Sequence, residues 1–197
     1  MLEAVILAAG KSQRFGGVKQ LASIKGSSML QHCVLQYFNG NNLLPDISKL
    51  TVVLGANESL IKQTVLADVT LFSAPNWHHG MGASLADFVK QLAPSTSHLL
   101  VGLCDQVALT NKDLAHLLHH SKQLPDAIVC AQYDDIQGVP AIFPRRYFAE
   151  LASLTGDKGA RMLIKKHVNS VSVVAMPNAA YDVDTPQDLY TILARIV

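Results

Sequence analysis

The sequence predicts a doubly wound α/β fold, in which a mostly parallel sheet is covered by helices on both faces. Short apolar runs alternate with amphipathic stretches along the whole chain. Several of these runs are apolar on both faces, as parallel strands are when helices cover both sides of their sheet. The length of 197 residues suits one domain, so we expect a single domain over residues 1–197.

The apolar runs predict strands at residues 4–7, 50–54, 69–73, 99–103, 127–130 and 171–174. The stretches between them predict helices at residues 28–38, 58–66, 83–92, 111–123, 145–154, 158–167 and 186–196. Ser27 or Ser28, Thr110 and the pair Thr185-Pro186 are suited to helix starts. Residues 138–143 predict a further strand, in which Pro140 indicates an edge strand or a bulge. The C-terminal half of the sheet is therefore expected to be mixed.

Composition excludes several classes of protein. Hydrophobic residues make up 49% and charged residues 16%, which indicates a buried core and argues against disorder. The formal charge of +1 predicts neither a nucleic-acid surface nor an anionic membrane surface. No apolar run approaches the roughly 20 residues of a membrane span, and Glu3 replaces the basic flank of a signal peptide. We expect a cytoplasmic protein in which Cys33, Cys104 and Cys130 are buried core residues.

The opening loop, from Leu7 to Lys19, combines glycines with basic residues directly after a predicted strand. Such a loop brings backbone N–H groups and positive charge close to phosphate oxygens. A Walker A motif is excluded because Val5 stands where its first glycine belongs, and a dinucleotide motif is excluded by Ser12. A longer phosphate-binding loop remains, with an ordinary surface loop as the alternative.

This loop resembles the signature of the MobA-like nucleotidyltransferases, L-A-[AG]-G-x-S-x-R-M-G-x-x-K, at Leu7, Ala8, Ala9, Gly10, Ser12, Arg14, Gly16 and Lys19. Phe15 replaces the usual Met, and Val18 replaces the Pro that often precedes the Lys. The resemblance implies a three-layer α/β/α Rossmann-like nucleotidyltransferase domain whose opening loop binds a nucleoside triphosphate. It also implies that Arg14 and Lys19 neutralise the triphosphate and act in catalysis together with Asp105.

Two acidic segments follow predicted strands, at Asp105 and at Asp182-Val183-Asp184. Mg²⁺ prefers carboxylate and phosphate oxygens, and ligands gather beyond the carboxyl ends of parallel strands. From the residues alone, Asp105 is equally suited to a turn and Asp184 to capping the last helix. The segments resemble the family elements D-Q-P and D-I-D-T-P-E-D-L, which implies Mg²⁺ bound by Asp105 and Asp184, with Asp182 as the alternative second ligand.

Two further segments resemble family elements that contact substrates. Residues 80–85 resemble G-M-G-x-S-L, which implies that Gly82 and Ser84 bind the nucleotide; a flexible helix entry is the alternative. Residues 138–143 and 154–161 resemble G-x-P-x-L-F…L-x-G-D-x-G-A-R of the branch that handles molybdenum cofactor. The residues that this second likeness places at the second substrate are Gly138, Pro140, Asp157, Lys158 and Arg161.

The five motifs occur in the family order and imply the molybdenum cofactor cytidylyltransferase branch. The expected reaction moves CMP from CTP to the phosphate of molybdopterin and releases pyrophosphate, and a molybdoenzyme is a possible client. The alternatives are a GTP-using guanylyltransferase and a catalytically silent nucleotide-binding factor for molybdoenzyme maturation. Ala9 favours CTP, because the GTP-using branch typically has L-A-G-G at this place.

The histidines raise one more question. His116, His119 and His120 have helical spacing, and a solvated helix face is favoured over a weak zinc site because no Glu or Cys completes a known motif. His78 and His79 directly precede the glycines of residues 80–82, beside Trp77, and their role is open.

Overall fold

A seven-stranded sheet forms the centre of the structure, a computed structural model that describes residues 1–65 and 68–196. Its strands are β1 (Leu2–Leu7), β2 (Ile47–Leu54), β3 (Thr70–Ser73), β4 (His98–Leu103), β5 (Ile128–Tyr133), β6 (Ile136–Pro144) and β7 (Val171–Ala175). They lie in the order β7-β5-β6-β4-β1-β2-β3. Strand β6 is antiparallel to both of its neighbours, and the other four pairings are parallel. The prediction of a mostly parallel sheet with a mixed C-terminal half is confirmed.

The six predicted strands agree with the observed strands to within a few residues at their ends. The seventh, containing Pro140, is strand β6, and the expectation of an edge strand is wrong because β6 lies between β4 and β5. The bulge alternative is confirmed, since the pairing with β5 shifts its register between Gly138 and Ala141. The Val139–Pro140 peptide bond is cis. A bulge tolerates the missing N–H of a proline inside a sheet because its extra residue is not part of the hydrogen-bond ladder.

The helices are α1 (Met29–Leu35), α2 (Glu58–Ile61), α3 (Met81–Val89), α4 (Asn111–Gln123), α5 (Phe148–Leu151), α6 (Arg161–Lys166) and α7 (Pro186–Ile196). Two predicted helices were too long: α1 ends before a short hairpin of Phe38–Asn39 and Asn42–Leu43, and α6 begins three residues late. The helix predicted at 145–154 is a 3₁₀ turn followed by α5. The one predicted at 58–66 is α2 followed by a 3₁₀ turn, and its last position, Leu66, lies outside the described residues.

The predicted helix starts are confirmed by their hydrogen bonds. Ser28 accepts the N–H of Gln31, Thr110 forms a capping box with Asp113, and Thr185 caps the backbone N–H of Asp188. These bonds satisfy N–H groups that have no acceptor inside their own helix.

Helices pack on both faces of the sheet and produce three layers. Ala4 and Ile6 of β1 belong to a core that includes side chains of α1 and α4, whereas Val5 and Leu7 belong to a second core with side chains of α3, α5 and α6. Successive side chains of a strand point to opposite faces, so a strand between two helical layers must be apolar throughout. Cys33, Cys104 and Cys130 are buried, as expected. None of the described helices has the length and apolar character needed to cross a membrane.

The strand order places a crevice between β1 and β4. After β1 the chain builds β2 and β3 on one side, and it then continues with β4 on the other side of β1. Loops leave the carboxyl ends of β1 and β4 in opposite directions, and such a switch point is where open α/β sheets bind ligands.

Candidate active site

A cleft of about 550 Å³ opens at the carboxyl ends of β1 and β4. Its size is typical of small-molecule sites. Most of the predicted site residues line it, and they are Leu7, Ala8, Ala9, Gly10, Ser12, Arg14, Lys19, Ser84, Asp105, Asp157 and Asp184. The remaining predicted residues, which are not part of its lining, are Gly82, Gly138, Pro140, Lys158, Arg161 and Asp182. The fold therefore brings the opening loop and two of the three candidate carboxylates to one place.

The opening loop is held in shape by Gln20, whose side chain is buried beneath it. Its amide nitrogen donates to the carbonyl oxygens of Ala8 and Gly10 over 3.0 Å each, and its amide oxygen accepts the hydroxyl of Ser12 over 3.1 Å. Ser12 has a φ of 56°, in the left-handed region of backbone conformation that residues other than glycine rarely adopt. Gln20 was not among the residues predicted from the sequence; the signal that could have identified it is a polar residue next to Lys19, in a loop that needs internal hydrogen bonds.

Four charged residues form a chain along one side of the cleft. The ammonium of Lys19 lies 2.6 Å from Asp105 Oδ2 and 3.4 Å from Asp184 Oδ1, and it donates to the carbonyl of Val183 over 2.9 Å. The guanidinium of Arg14 pairs with the other oxygen of Asp184 at 2.8 Å. The side chain of Arg14 is 73% exposed and that of Lys19 only 12%. Arg14 is thus accessible to a ligand, whereas Lys19 is engaged by the protein.

Burial by itself disfavours the charged form of Lys19, but the charge and hydrogen bond of Asp105, with a smaller contribution from Asp184, more than offset this cost. The pKa of Lys19 is therefore raised above its usual value. An amine with a raised pKa in the folded state stabilises the fold fully below its unfolded pKa, and this contribution is lost only as the pH rises through the folded pKa. Lys19 is therefore a cation at neutral pH.

The second oxygen of Asp105 fits a metal ligand. Asp105 Oδ1 is buried and has no hydrogen-bond partner among the described residues. A buried carboxylate oxygen without a partner is costly, and a bound cation removes that cost. Asp184, 35% exposed in its side chain, faces the same cleft. Two carboxylates together with phosphate oxygens of a substrate are a common ligand set for Mg²⁺.

Backbone pairing brings the two acidic segments together. The N–H of Val183 donates to the carbonyl of Asp105 over 3.0 Å, and Gln106 and Asp182 form an antiparallel bridge. Desolvation, and then the negative charges of Asp105 and Asp184, raise the pKa of Asp182 to about 6. Asp182 as a whole residue is nevertheless exposed to solvent, which screens these charges and reduces their effect on stability.

Gln106, which is buried, anchors this paired region to two further segments. Its side-chain amide nitrogen donates to the carbonyl of Val139 over 2.9 Å and to that of Ala179 over 3.0 Å. It thereby links the loop after β4 to the bulge of β6 and to the segment before Asp182.

The lining of the cleft also includes Trp77, His78 and His79. Trp77 packs directly on Gly55, where an added Cβ would lie 2.5 Å from the Trp77 side chain, and the ammonium of Lys11 lies 5.4 Å from its ring centroid. The carboxylate of Asp87 holds the preceding residue, Asn76, by two hydrogen bonds of 2.8 and 3.0 Å. Neither the contact of Lys11 with Trp77 nor that of Asp87 with Asn76 was predicted from the sequence.

Residues 80–82 pack against the loop that carries Asp157. The N–H of Gly82 donates to the carbonyl of Gly156 over 2.8 Å, and a Cβ at Gly82 would lie 2.6 Å from the carbonyl of Lys158. Gly80 has a φ of 103° and lies against Asp157 and Gly156, so glycine is required there on both grounds. The N–H of Gly82 is already used within the protein, and Ser84 is buried with its hydroxyl donating to the carbonyl of Gly80.

The predicted second-substrate residues divide between two places. Asp157 lines the cleft, whereas Gly138 lies beneath the hydroxyl of Tyr133, near strand β5. Burial and the charge of Asp182 raise the pKa of Tyr133, and the positive charge of Arg161 acts in the opposite direction. Tyr133 is thus close enough to Arg161 and Asp182 for their charges to act on it.

Two histidines of helix α4, His119 and His120, contact neighbouring side chains. His119 contacts the side chain of Gln123 at 3.1 Å, and His120 contacts the hydroxyl of Ser172 at 2.9 Å.

Comparison with known proteins agrees with this geometry. The family model of the MobA-like NTP transferase domain matches residues 4–171. A molybdenum cofactor guanylyltransferase of Shewanella sp. (strain MR-4) is 26% identical over 205 aligned positions, which cover 99% of this chain and 96% of that protein.

Two solved structures from mycobacteria have the same fold over nearly their whole length. The homologue of the Mycobacterium tuberculosis Rv0371c protein from Mycobacterium sp. strain JC1 is 27% identical, with a TM-score of 0.81 and coverage of 99% of this chain and 96% of that one. Rv0371c of M. tuberculosis H37Rv, solved in complex with manganese, is 25% identical, with a TM-score of 0.76 and coverage of 98% of both chains. The three-layer fold, the cleft at the strand switch point and the match over most of the sequence lead to one conclusion: the chain belongs to the MobA-like NTP transferase domain family.

Proposed function

We propose that this nucleotidyltransferase moves CMP from CTP to the phosphate of a molybdopterin-type acceptor and releases pyrophosphate. The observation that carries the proposal is the chain of charges from Arg14 through Asp184 and Lys19 to Asp105, beside a cleft large enough for a nucleotide. It combines cations for a triphosphate with carboxylates for a divalent metal ion in one place.

The proposed reaction is an in-line displacement. An oxygen of the acceptor phosphate forms a bond to the α-phosphorus of the nucleotide, the bond from that phosphorus to the bridging oxygen breaks, and pyrophosphate leaves with the electron pair. The attacking phosphate is already ionised at neutral pH, so no side chain has to remove a proton from it. The protein contributes position and charge.

Individual residues have separate tasks in this proposal. The opening loop, held by Gln20, orients the triphosphate, and Arg14 neutralises its negative charge from the accessible side of the cleft. Asp105 and Asp184 would hold Mg²⁺, and Asp105 Oδ1 supports this because it is buried without a hydrogen-bond partner in the part of the chain that the structure describes. When bound, the metal ion stabilises negative charge on phosphate oxygens. The Rv0371c relative was solved in complex with manganese, which supports a divalent metal ion for this chain.

CTP as the donor rests on Ala9, which lines the cleft and is almost fully buried. The methyl group of Ala9 narrows the space beside the nucleotide base, at a position where the GTP-using branch typically has glycine. GTP is the second candidate, because the Shewanella relative is named a guanylyltransferase. A possible client is a molybdoenzyme that receives the nucleotide-modified cofactor.

The donor is tested by incubating the protein with Mg²⁺, molybdenum cofactor and each nucleoside triphosphate in turn, while pyrophosphate is measured. Release of pyrophosphate with CTP alone supports the proposal, whereas release with GTP alone would mean that the donor is GTP and not CTP. Binding of nucleotide without pyrophosphate release from any of them overturns the enzymatic function in favour of a silent binding factor.

The metal-binding role is tested with Asp105→Ala, for which we expect turnover to fall by about 10²- to 10³-fold. Asp126→Ala removes an exposed carboxylate far from the cleft and serves as the matched control. Mg²⁺-dependent activity of Asp105→Ala within a few-fold of the wild type would exclude Asp105 as a metal ligand.

A further inference from the structure

The ammonium of Lys19 lies between the two carboxylates that the proposed function assigns to a metal ion. It contacts Asp105 at 2.6 Å, Asp184 at 3.4 Å and the carbonyl of Val183 at 2.9 Å. These three acceptors match the three N–H donors of an ammonium group. The side chains of Lys19 and Asp105 are only 12% and 16% exposed, so water contributes little to this arrangement.

Two carboxylates that converge on one point repel each other unless a cation lies between them. Lys19 supplies such a cation within the chain itself. A divalent cation that bound the same two carboxylates would lie close to the ammonium and repel it, even where it took the free Oδ1 of Asp105. The ammonium and the divalent cation therefore compete for the negative charge of these two carboxylates.

We propose that Lys19 is an internal counter-cation, which holds Asp105 and Asp184 in place before a divalent cation binds and leaves them when it binds. The inference rests on the proposed function only for the identity of the competing cation. Because Lys19 belongs to the loop that lines the cleft, the displaced ammonium has the phosphates of a bound triphosphate as its new partners. Without a triphosphate the divalent cation then binds weakly, because it must displace an ammonium group that has a partner for each of its three N–H donors. A bound triphosphate strengthens the binding of the divalent cation because its phosphate oxygens accept hydrogen bonds from the displaced ammonium.

The test measures binding of Mn²⁺ alone by electron paramagnetic resonance, with and without inorganic tripolyphosphate. We expect Lys19→Gln to bind Mn²⁺ without tripolyphosphate about tenfold more tightly than the wild type, because its competitor has been removed. Tripolyphosphate should strengthen Mn²⁺ binding more in the wild type than in Lys19→Gln. Lys11→Gln is the matched control: it removes the same charge from the same loop, but Lys11 contacts Trp77 instead of the carboxylates. We expect its affinity for Mn²⁺ alone to stay within about twofold of the wild type, since exposed charges interact weakly.

An affinity of Lys19→Gln for Mn²⁺ alone that equals or falls below that of the wild type overturns the inference. A second measurement avoids the variant in case it fails to fold. Acetic anhydride labelling of the wild type, quantified by mass spectrometry, should increase at Lys19 when Mg²⁺ is added and stay constant at Lys122, which is remote and paired with Asp46. Unchanged or reduced labelling of Lys19 contradicts the displacement.

Both readouts are independent of turnover. If Lys19→Gln binds Mn²⁺ more tightly but the wild type releases no pyrophosphate, Lys19 is a counter-cation and the proposed enzymatic function is wrong. If the wild type releases pyrophosphate but Lys19→Gln binds Mn²⁺ no more tightly, the enzymatic function stands and the counter-cation inference is wrong.

Discussion

The peptide N–H of Val183 donates a hydrogen bond to the carbonyl oxygen of Asp105 over 3.0 Å. This bond joins the loop after β4 to the segment before α7, which are far apart in the sequence. It brings Asp105 and Asp184 close enough for one ammonium group to contact both. The proposed metal site therefore depends on backbone pairing as much as on its acidic side chains.

Gln106 is expected to stabilise this junction. Gln106→Leu removes the donor from the carbonyls of Val139 and Ala179, so we expect the free energy of unfolding to fall by about 2 kcal/mol. Urea denaturation measures the change. Gln132→Leu, at an exposed position of β5, is the control and should stay within about 0.5 kcal/mol of the wild type. Equal effects of the two substitutions would mean that the hydrogen bonds of Gln106 contribute nothing.

Gly82 is expected to tolerate no side chain, because a Cβ there would lie 2.6 Å from the carbonyl of Lys158 and 2.9 Å from that of Gly156. Gly82→Ala should lower the free energy of unfolding by about 1–3 kcal/mol through overpacking against backbone atoms. Gly17→Ala is the matched control, since a Cβ at Gly17 meets no atom of the described residues within 4 Å. Thermal unfolding of both variants gives the comparison, and a Gly82→Ala variant as stable as Gly17→Ala would refute the close packing.

Asp182 predicts a pH dependence of stability. Its pKa in the folded protein, about 6, exceeds the ordinary value of 3.8. The folded state therefore holds the proton more tightly, and the contribution of Asp182 to stability decreases as the pH rises from about 4 to about 6. Above that range its charge destabilises the fold. Asp182→Asn should accordingly raise the free energy of unfolding at pH 7.5 by about 1 kcal/mol, after allowance for solvent screening.

The same substitution should have only a small effect on stability at pH 3.5, because the carboxyl is protonated in the folded state and mostly protonated in the unfolded state. Urea denaturation without metal at pH 3.5 and at pH 7.5 measures both values. A stabilisation of equal size at the two pH values would show that its cause is unrelated to the charge of Asp182.

The three thiols are expected to be unreactive in the folded protein. All three are buried, and burial raises the pKa of Cys104 and that of Cys130 to about 12, and that of Cys33 well above its usual value. Reaction with a disulfide reagent requires the thiolate. At pH 8 we expect almost no reaction within minutes in the native protein and three reactive thiols in denaturant. Rapid reaction of any one thiol in the native protein would contradict its burial.

Sequence alone determined the features of this protein that depend on local patterns. Strands that are apolar on both faces predicted the sheet between two helical layers, because neighbouring residues of one strand face opposite layers. Caps such as Thr110 and the spacing of residues from Leu7 to Lys19 were equally visible, since they involve residues close in the chain. The resemblance based on that spacing led to the family that comparison then confirmed.

Only the tertiary structure decided which distant groups meet. The position of β6 inside the sheet depends on its pairing with both β4 and β5, whereas Pro140 alone left an edge strand open. The burial of Gln20 beneath the opening loop follows from the folding back of the chain. Lys19, expected from the family to neutralise phosphates, lies against Asp105 and Asp184 because backbone pairing after β4 brings both carboxylates to it. Contacts between residues so far apart arise from the packing of the whole chain, and no local pattern encodes them.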